Sequence, residues 1–218
     1  MKLEHILLGV LLRYPSTGYD LKKYLDTAGR FLRPNTTMSQ VYRSLARMEA
    51  DGWVTHQVKS RPGAQDYKIF RATAEGTTVF LDWLKGPYRP PEAHLGHEFR
   101  GRLAFAGFLT REEVLALVDT ELAARHAQVA RFRHRDRTLE TRPEIPYDAV
   151  FSIEMQEWEH RRGAATIDAH IAACEDLRAR LLDGRPLVDG VAESPPTVPD
   201  HPGSAAVSTG GDPCAPSS

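Results

Sequence analysis

Thr36-Thr37-Met38-Ser39-Gln40-Val41-Tyr42-Arg43-Ser44-Leu45-Ala46-Arg47-Met48-Glu49-Ala50-Asp51-Gly52-Trp53-Val54 reads as a helix with a marked start and a marked stop. Thr37 is placed to cap it. Gln40, three residues on, completes a Thr-x-x-Gln box in which each side chain satisfies the other's otherwise unpaired backbone N–H. Gly52 stands where the chain needs left-handed backbone to leave a helix. The spacing therefore predicts a helix from Met38 to Asp51. Turning each residue by about 100° puts Met38, Val41, Leu45 and Met48 on one side and Ser39, Gln40, Arg43 and Arg47 on the other. The second side carries two guanidinium groups, an amide and a hydroxyl without a carboxylate, groups suited to phosphate oxygens and purine edges.

The flanks give that helix a context. Leu3 to Arg13 and Tyr19 to Leu32 read as two earlier helices, joined by Tyr14-Pro15-Ser16-Thr17-Gly18, where Pro and Gly stop one helix and Ser or Thr caps the next. Downstream, Trp53 to Ser60 and Tyr67 to Ala72 are β-prone runs about a turn-forming tip, Arg61-Pro62-Gly63-Ala64-Gln65-Asp66. Three helices and a β-hairpin make a winged helix-turn-helix. Thr73 then caps a helix to Leu84, with Val79, Phe80, Trp83 and Leu84 as its apolar contacts.

Gly86-Pro87-Tyr88-Arg89-Pro90-Pro91 is a stiff extended linker, because successive prolines exclude helix. Beyond it a helix is predicted from Ala93 to Phe108. Thr110-Arg111-Glu112-Glu113 is a second capping box, opening a helix to Leu139 with a seam at Leu115, Val118, Leu122, Val129 and Phe132. Arg142 to Asp148, with two prolines, breaks the chain before a last helix, Ala149 to Leu182, whose apolar side is Ile153, Ile167, Ile171, Cys174, Leu177 and Leu181. The expected fold is mainly α: a winged helix-turn-helix over 1–85, a Pro-rich linker over 86–92, and a long-helix C-terminal dimerisation domain over 93–183. Two amphipathic seams bury better against a second copy than alone, although an intramolecular hairpin is the simpler arrangement. Residues 184–218 hold 7 Pro, 5 Gly and 5 Ser with no Phe, Trp or Tyr, and are expected to be disordered.

The chain of 218 residues has a formal net charge of -1, which averages two unlike parts. Residues 1–85 contain 13 Lys or Arg against 8 Asp or Glu, and 86–218 contain 15 against 21, so the charges are +5 and -6. Only the first part needs to face phosphates. With no apolar run of membrane-spanning length and no secretory leader pattern, a soluble cytoplasmic protein is expected. Cys174 and Cys214 have neither metal-knuckle spacing nor the number of a disulfide framework, so reduced thiols are expected, Cys174 as packing. His94, His97 and Glu98 form His-x-x-His-Glu, the wrong order for the hydrolytic zinc motif His-Glu-x-x-His, and His126 and His134 share one helix; no metal, cofactor or enzymatic activity is expected.

The sequence resembles the PadR family of transcriptional regulators. The resemblance rests on Ile6-Leu7-Leu8-Gly9, Gly18-Tyr19-Asp20-Leu21, Gln40-Val41-Tyr42-Arg43-Ser44-Leu45, Met48-Glu49-Ala50-Asp51-Gly52-Trp53-Val54 and Phe70-Arg71-Ala72-Thr73-Ala74-Glu75-Gly76, and is dense over residues 1–85. It departs from the family after the wing, where Phe70-Arg71-Ala72-Thr73 stands for the common Tyr-x-Leu-Thr. The resemblance implies a winged-helix DNA-binding regulator, usually a homodimer through C-terminal helices and often a repressor. Double-stranded DNA is thus the expected partner, with an inverted-repeat operator.

By position on the recognition helix, Arg43 and Gln40 are candidates for reading bases, and Thr36, Thr37, Ser39 and Arg47 for holding phosphates. Tyr42, at the border of the two faces, is placed equally for packing or for DNA. Lys22 and Lys23 on the second helix and Lys59 and Arg61 on the wing are candidates for non-specific backbone contacts. A winged helix that binds protein through the same surface is the alternative, separable by its weak response to salt. Trp83, Phe99, Phe105, Phe108 and Trp158 are candidates for an effector pocket, with ordinary core as the plainer role.

Overall fold

The computed structural model describes residues 1–61, 64–91, 96–136 and 147–188. The chain divides into a compact unit, Met1–Arg185, and a remainder, Pro186–Ser218. Almost all of that remainder, with the predicted tail and Cys214, lies outside the described residues, as do His94, Leu139 and the tip residues Pro62 and Gly63.

The first unit opens with α1 (Leu3–Arg13), β1 (Ser16–Thr17) and α2 (Gly18–Asp26), then a 3-10 turn (Ala28–Phe31) and α3 (Met38–Ala50). The wing follows as β2 (Val54–Arg61) and β3 (Ala64–Ala72), and α4 (Ala74–Lys85) closes the winged part. After the linker come α5 (His97–Ala104), a 3-10 turn (Ala106–Phe108), α6 (Arg111–Phe132) and α7 (Ala149–Leu182). The described residues are thus mainly helical, with one antiparallel sheet of order β1-β3-β2.

Several boundaries differ from the sequence reading, each for a physical reason. The second helix ends at Asp26 rather than Leu32, because Thr27 turns out of helical geometry (φ -112°, ψ -99°) and bonds its hydroxyl to the Lys23 carbonyl at 2.8 Å. Gly29 then passes under the Tyr24 ring, where a Cβ would lie 2.8 Å from Cε1. β3 begins at Ala64, so the tip is shorter than predicted, with Arg61 paired to Ala64 across a register shift. The strand β1 was not foreseen: Ser16 and Thr17 pair with Phe70 and Ile69, on the free edge of β3. Two residues are too few to show a period in sequence. Between the linker and Phe108 the described helix is only His97–Ala104, followed by the 3-10 turn, and α6 ends at Phe132.

The winged core gathers Ile6, Leu7, Leu8, Leu21, Val41, Leu45, Met48 and Phe80, all at or below 1 % exposure. Phe105, from beyond the linker, is equally buried there. Its ring lies on Gly9, where a Cβ would stand 2.5 Å from Cε1, and meets Phe80 edge-on at 5.5 Å. A second, thinner cluster joins Phe99, Val114, Leu117, Val118 and Leu122 to Cys174 and Leu181. It forms where the C-terminal half of α7 packs back on α6, fastened by Arg178 to Asp119 (2.7 Å) and Arg133 to Asp168. The intramolecular hairpin therefore exists for that half. Ile153, read from the sequence as part of the seam, is 67 % exposed, because the N-terminal half of α7 extends past the packed section. Val150, Phe151, Met155 and Trp158 are exposed with it.

Candidate nucleic-acid interface

The recognition helix α3 is positioned from both ends. At its start Asn35 takes φ +59°, a left-handed geometry that Asn tolerates, and turns the chain into the Thr37 cap. Both halves of the predicted box form: the Thr37 N–H donates to Gln40 Oε1 at 2.8 Å and the Gln40 N–H to Thr37 Oγ1 at 3.3 Å. Such a cap is worth about 0.5–2 kcal/mol. At its end Gly52 has φ +75°, and the N–H groups of Trp53 and Gly52 donate to the Met48 and Glu49 carbonyls at 2.7 and 3.1 Å, closing a Schellman turn. Thr73 ties that turn to α4, donating its hydroxyl to the Gly52 carbonyl (2.7 Å) while capping Gly76. Gly76 has no room for a side chain, since a Cβ would lie 2.0 Å from the Trp53 carbonyl oxygen.

The helix presents the faces read from its sequence. Val41, Leu45 and Met48 are buried; Ser39, Tyr42, Arg43 and Arg47 are exposed, and Gln40 is half-buried. Arg43 makes only a long bond to the Ser39 carbonyl (3.4 Å), and no ion pair neutralises it among the described residues. With Gln40 Oε1 spent on the cap, the amide's NH2 group is left for other contacts. Ser39 shares a hydrogen bond with Thr37 at 3.0 Å. Thr36 is buried and bonded to the Arg33 carbonyl at 3.3 Å, so it shapes the turn before the helix rather than presenting a hydroxyl.

Other candidate residues stand in contexts that the sequence did not reveal. Arg47 closes on Glu4 of α1, a carboxylate that is otherwise buried, yet its own side chain remains 62 % exposed. It ties α3 to α1 and keeps donors free on its outer side. The Tyr42 ring lies across Gly18 at the start of α2, where a Cβ would be 2.6 Å from Cε1, and half of it remains exposed. Tyr42 thus packs and faces out at once. Lys22 is paired with Asp26 one turn on, whereas Lys23 is exposed. Lys59 is exposed on β2, opposite Tyr67, and the side chain of Arg61 lies outside the described residues. Tyr19, 65 % exposed at the first turn of α2 and next in sequence to Gly18, was not singled out.

The remaining expectations are distributed through the fold. Trp83, Phe99, Phe105, Phe108 and Trp158 do not line one pocket: Phe105 is core, Phe99 belongs to the second cluster, and Trp158 is 58 % exposed beneath Arg162. An open groove of about 610 Å³ lies elsewhere, between the end of α6 and the middle of α7, lined by Arg133, Arg135, Arg161, His134 and His160 with Glu157 and Asp168. His97 approaches the Phe31 carbonyl and Glu98 is bound to Arg102, so the two face different partners. Among the described residues no group of three metal-ligating side chains is gathered, and no helix is long and apolar enough to cross a membrane. Cys174 is a free thiol whose pKa burial, aided by Glu121, raises to about 11, which keeps it protonated and unreactive.

A capped helix, with an unpaired guanidinium on its outer face and a β-hairpin beside it, is the arrangement of a winged-helix reader. Residues 7–81 match the family described as "Transcriptional regulator PadR-like family". The chain carries a PadR-like domain. Over 129 residues it is 26 % identical to the negative transcriptional regulator PadR of Bacillus subtilis, covering 59 % of this chain and 69 % of that protein. Over 146 residues it is 28 % identical to a probable transcriptional regulator of Mycobacterium tuberculosis, covering 65 % and 73 %. These relatives are regulators, not enzymes. Among solved structures, Bacillus subtilis PadR in complex with operator DNA matches with TM-score 0.40 and 20 % identity, over 82 % of this chain and 98 % of that one.

Proposed function

We propose that this protein is a cytoplasmic, sequence-specific DNA-binding transcriptional regulator, acting as a homodimeric repressor on an inverted-repeat operator. The observation that carries the reading is the outer face of α3, where Arg43 and the Gln40 amide stand at the helix start without a competing carboxylate. Near the start of a recognition helix, side chains reach the major-groove floor, and a bidentate contact there discriminates bases by about 1–3 kcal/mol. Ser39, Thr37, Arg47 and Tyr42 surround that point and supply phosphate donors, with Lys23 and Lys59 further out. The dimer reading is supported by α7, whose exposed Val150, Phe151, Ile153, Met155 and Trp158 form an apolar stretch larger than a solitary helix leaves to water. A two-fold dimer presents its reading helices about one duplex turn, ~34 Å, apart.

Selection of bound duplexes from a random pool at about 0.1 M salt tests the reading, and an inverted repeat should emerge. On that operator Arg43→Ala should cost about 1–3 kcal/mol and relax preference at one position in each half-site. Lys59→Ala should weaken all sequences alike and lower the salt slope by ~1. Failure to enrich any duplex overturns the proposal, and binding that ignores salt favours a protein partner instead.

A further inference from the structure

Between α4 and α5 the chain runs from Gly86 to Pro91 without helix or strand. Such a proline-rich stretch leaves its carbonyls without ladder partners. Here two buried arginines take them. Arg102 of α5, 4 % exposed, donates to the Gly86 carbonyl at 2.5 Å, the Leu84 carbonyl at 3.3 Å and the Pro87 carbonyl at 3.2 Å, with Glu98 as its counter-ion at 3.0 Å. Arg125 of α6, 1 % exposed, donates to the Pro91 carbonyl at 2.6 Å.

The middle of the segment is held as well. The Tyr88 hydroxyl donates to Glu121 of α6 at 2.8 Å, and its ring lies 5.4 Å from the Arg102 guanidinium. Glu121, also 1 % exposed, is shared with Arg125 at 3.3 Å and with His170 of α7 at 3.0 Å. Pro91 sits against Gly96, where a Cβ would lie 2.8 Å from the proline Cγ. The six residues are thus fastened at both ends and in the middle to α5 and α6. Burying a guanidinium is costly unless it is paired and bonded, and here the strap carbonyls and Glu98 take terminal donors while the Nε of each arginine stays without a hydrogen-bond partner among the described residues. Phe105, seated on Gly9 and Phe80, already joins the two sides at one point, and the fastened segment adds a second attachment against pivoting about that ring.

Resting on the homodimer reading above, we propose that this fastened strap fixes each winged part relative to α6 and α7 and thereby sets the half-site spacing that an operator must have. Arg102, Tyr88 and Arg125 are then positioning residues that shape DNA recognition without touching DNA. One added base pair moves a half-site by about 3.4 Å and ~35° around the duplex. A rigid dimer cannot follow that displacement, whereas a dimer on loosened straps can.

The test uses the full chain and the selected operator, with the spacer between half-sites shortened or lengthened by one and two base pairs. The unaltered protein should lose about tenfold or more in affinity for each base pair away from the optimum, since the second half-site is then engaged poorly. Tyr88→Phe removes one hydroxyl and leaves Glu121 its other partners; Arg102→Lys keeps the charge but cannot span three carbonyls. Both variants should lose only about threefold across the same series while binding an isolated half-site within about twofold of the unaltered chain. Variants as sharply tuned as the unaltered protein would overturn the strap, and so would an equal loss on the isolated half-site. An unaltered protein that binds duplex without spacing preference sinks the strap alone. One that binds no duplex sinks the DNA reading beneath it.

Discussion

The winged part and the α6–α7 hairpin are built on different interiors. In the first, the largest fully buried side chains are Phe80, Phe105, Ile6, Leu7, Leu8, Leu21, Leu45 and Met48; in the second they are Arg125 and Glu121. Apolar packing removes surface from water at about 25 cal/mol per Å² and needs no partner beyond its own chain. A buried ion pair returns little net stability, because desolvation offsets most of its attraction. The hairpin also leaves the apolar N-terminal half of α7 in solvent. One region closes its apolar interior within a single chain, and the other leaves large apolar side chains of a half-helix exposed.

The sharpest way to break that contrast is Phe105→Ala. This ring comes from beyond the linker yet completes the winged core against Gly9 and Phe80. Its loss should cost about 3–5 kcal/mol, the usual toll for deleting a fully buried phenylalanine. Urea unfolding of the full chain measures it, and a loss below ~1 kcal/mol would mean that the winged core does not depend on this ring. A fragment ending at Leu84 would lose the same contact, so assembly is better tested in the whole protein.

The second comparison lies in α7. Phe151→Asp and Trp158→Asp, singly, should each weaken association by about 2 kcal/mol, or ~30-fold in the dimer dissociation constant, if these rings are interface anchors. Sedimentation equilibrium reads the constant, while urea unfolding of the winged part should stay unchanged. An unaltered sedimentation profile in both variants would place the partner surface elsewhere.

What could be read in the sequence follows the same division between local and distant causes. α3 was legible because its cap, its stop and its outward side chains are written within one short segment, and the start of α7 was legible from the two prolines before it; that Asp148 caps it, accepting from the Phe151 N–H at 3.0 Å, is a finding of the structure. The outer face of α3 follows from helical angle alone. Distant partners do not. Arg47 meets Glu4, Arg102 meets Gly86 and Pro87, and Arg125 meets Pro91, all through contacts that no periodicity encodes. Phe105 was readable as core, but not as part of the winged core, for the same reason: its neighbour Gly9 is specified by packing, not by spacing. The break at Thr27 had a local signal, the Thr-Ala-Gly run, which amphipathic spacing in the flanking residues masked.

The smallest effect, and the one confined most closely to the winged side, concerns pH. His5 stacks on Trp83 with ring centroids 4.5 Å apart, and its Nδ1 is buried without a hydrogen-bond partner among the described residues. Burial first, then the charges of Lys2, the N-terminal amine and Arg102, lower its pKa from 6.5 to about 4 against a weaker opposing pull from Glu98. The folded ring therefore stays neutral where the unfolded one takes up a proton. Native stability is complete above about pH 6.5 and declines as the pH falls toward about 4, because the unfolded state binds more protons across that window. Solvent screening of a partly enclosed ring holds the loss at pH 5 to about 1–2 kcal/mol. His5→Phe keeps the stack on Trp83 and removes the titration, so the gap between its unfolding midpoints at pH 7.5 and pH 5 should narrow relative to the unaltered chain. Equal gaps in the two proteins would assign the acid sensitivity to other groups.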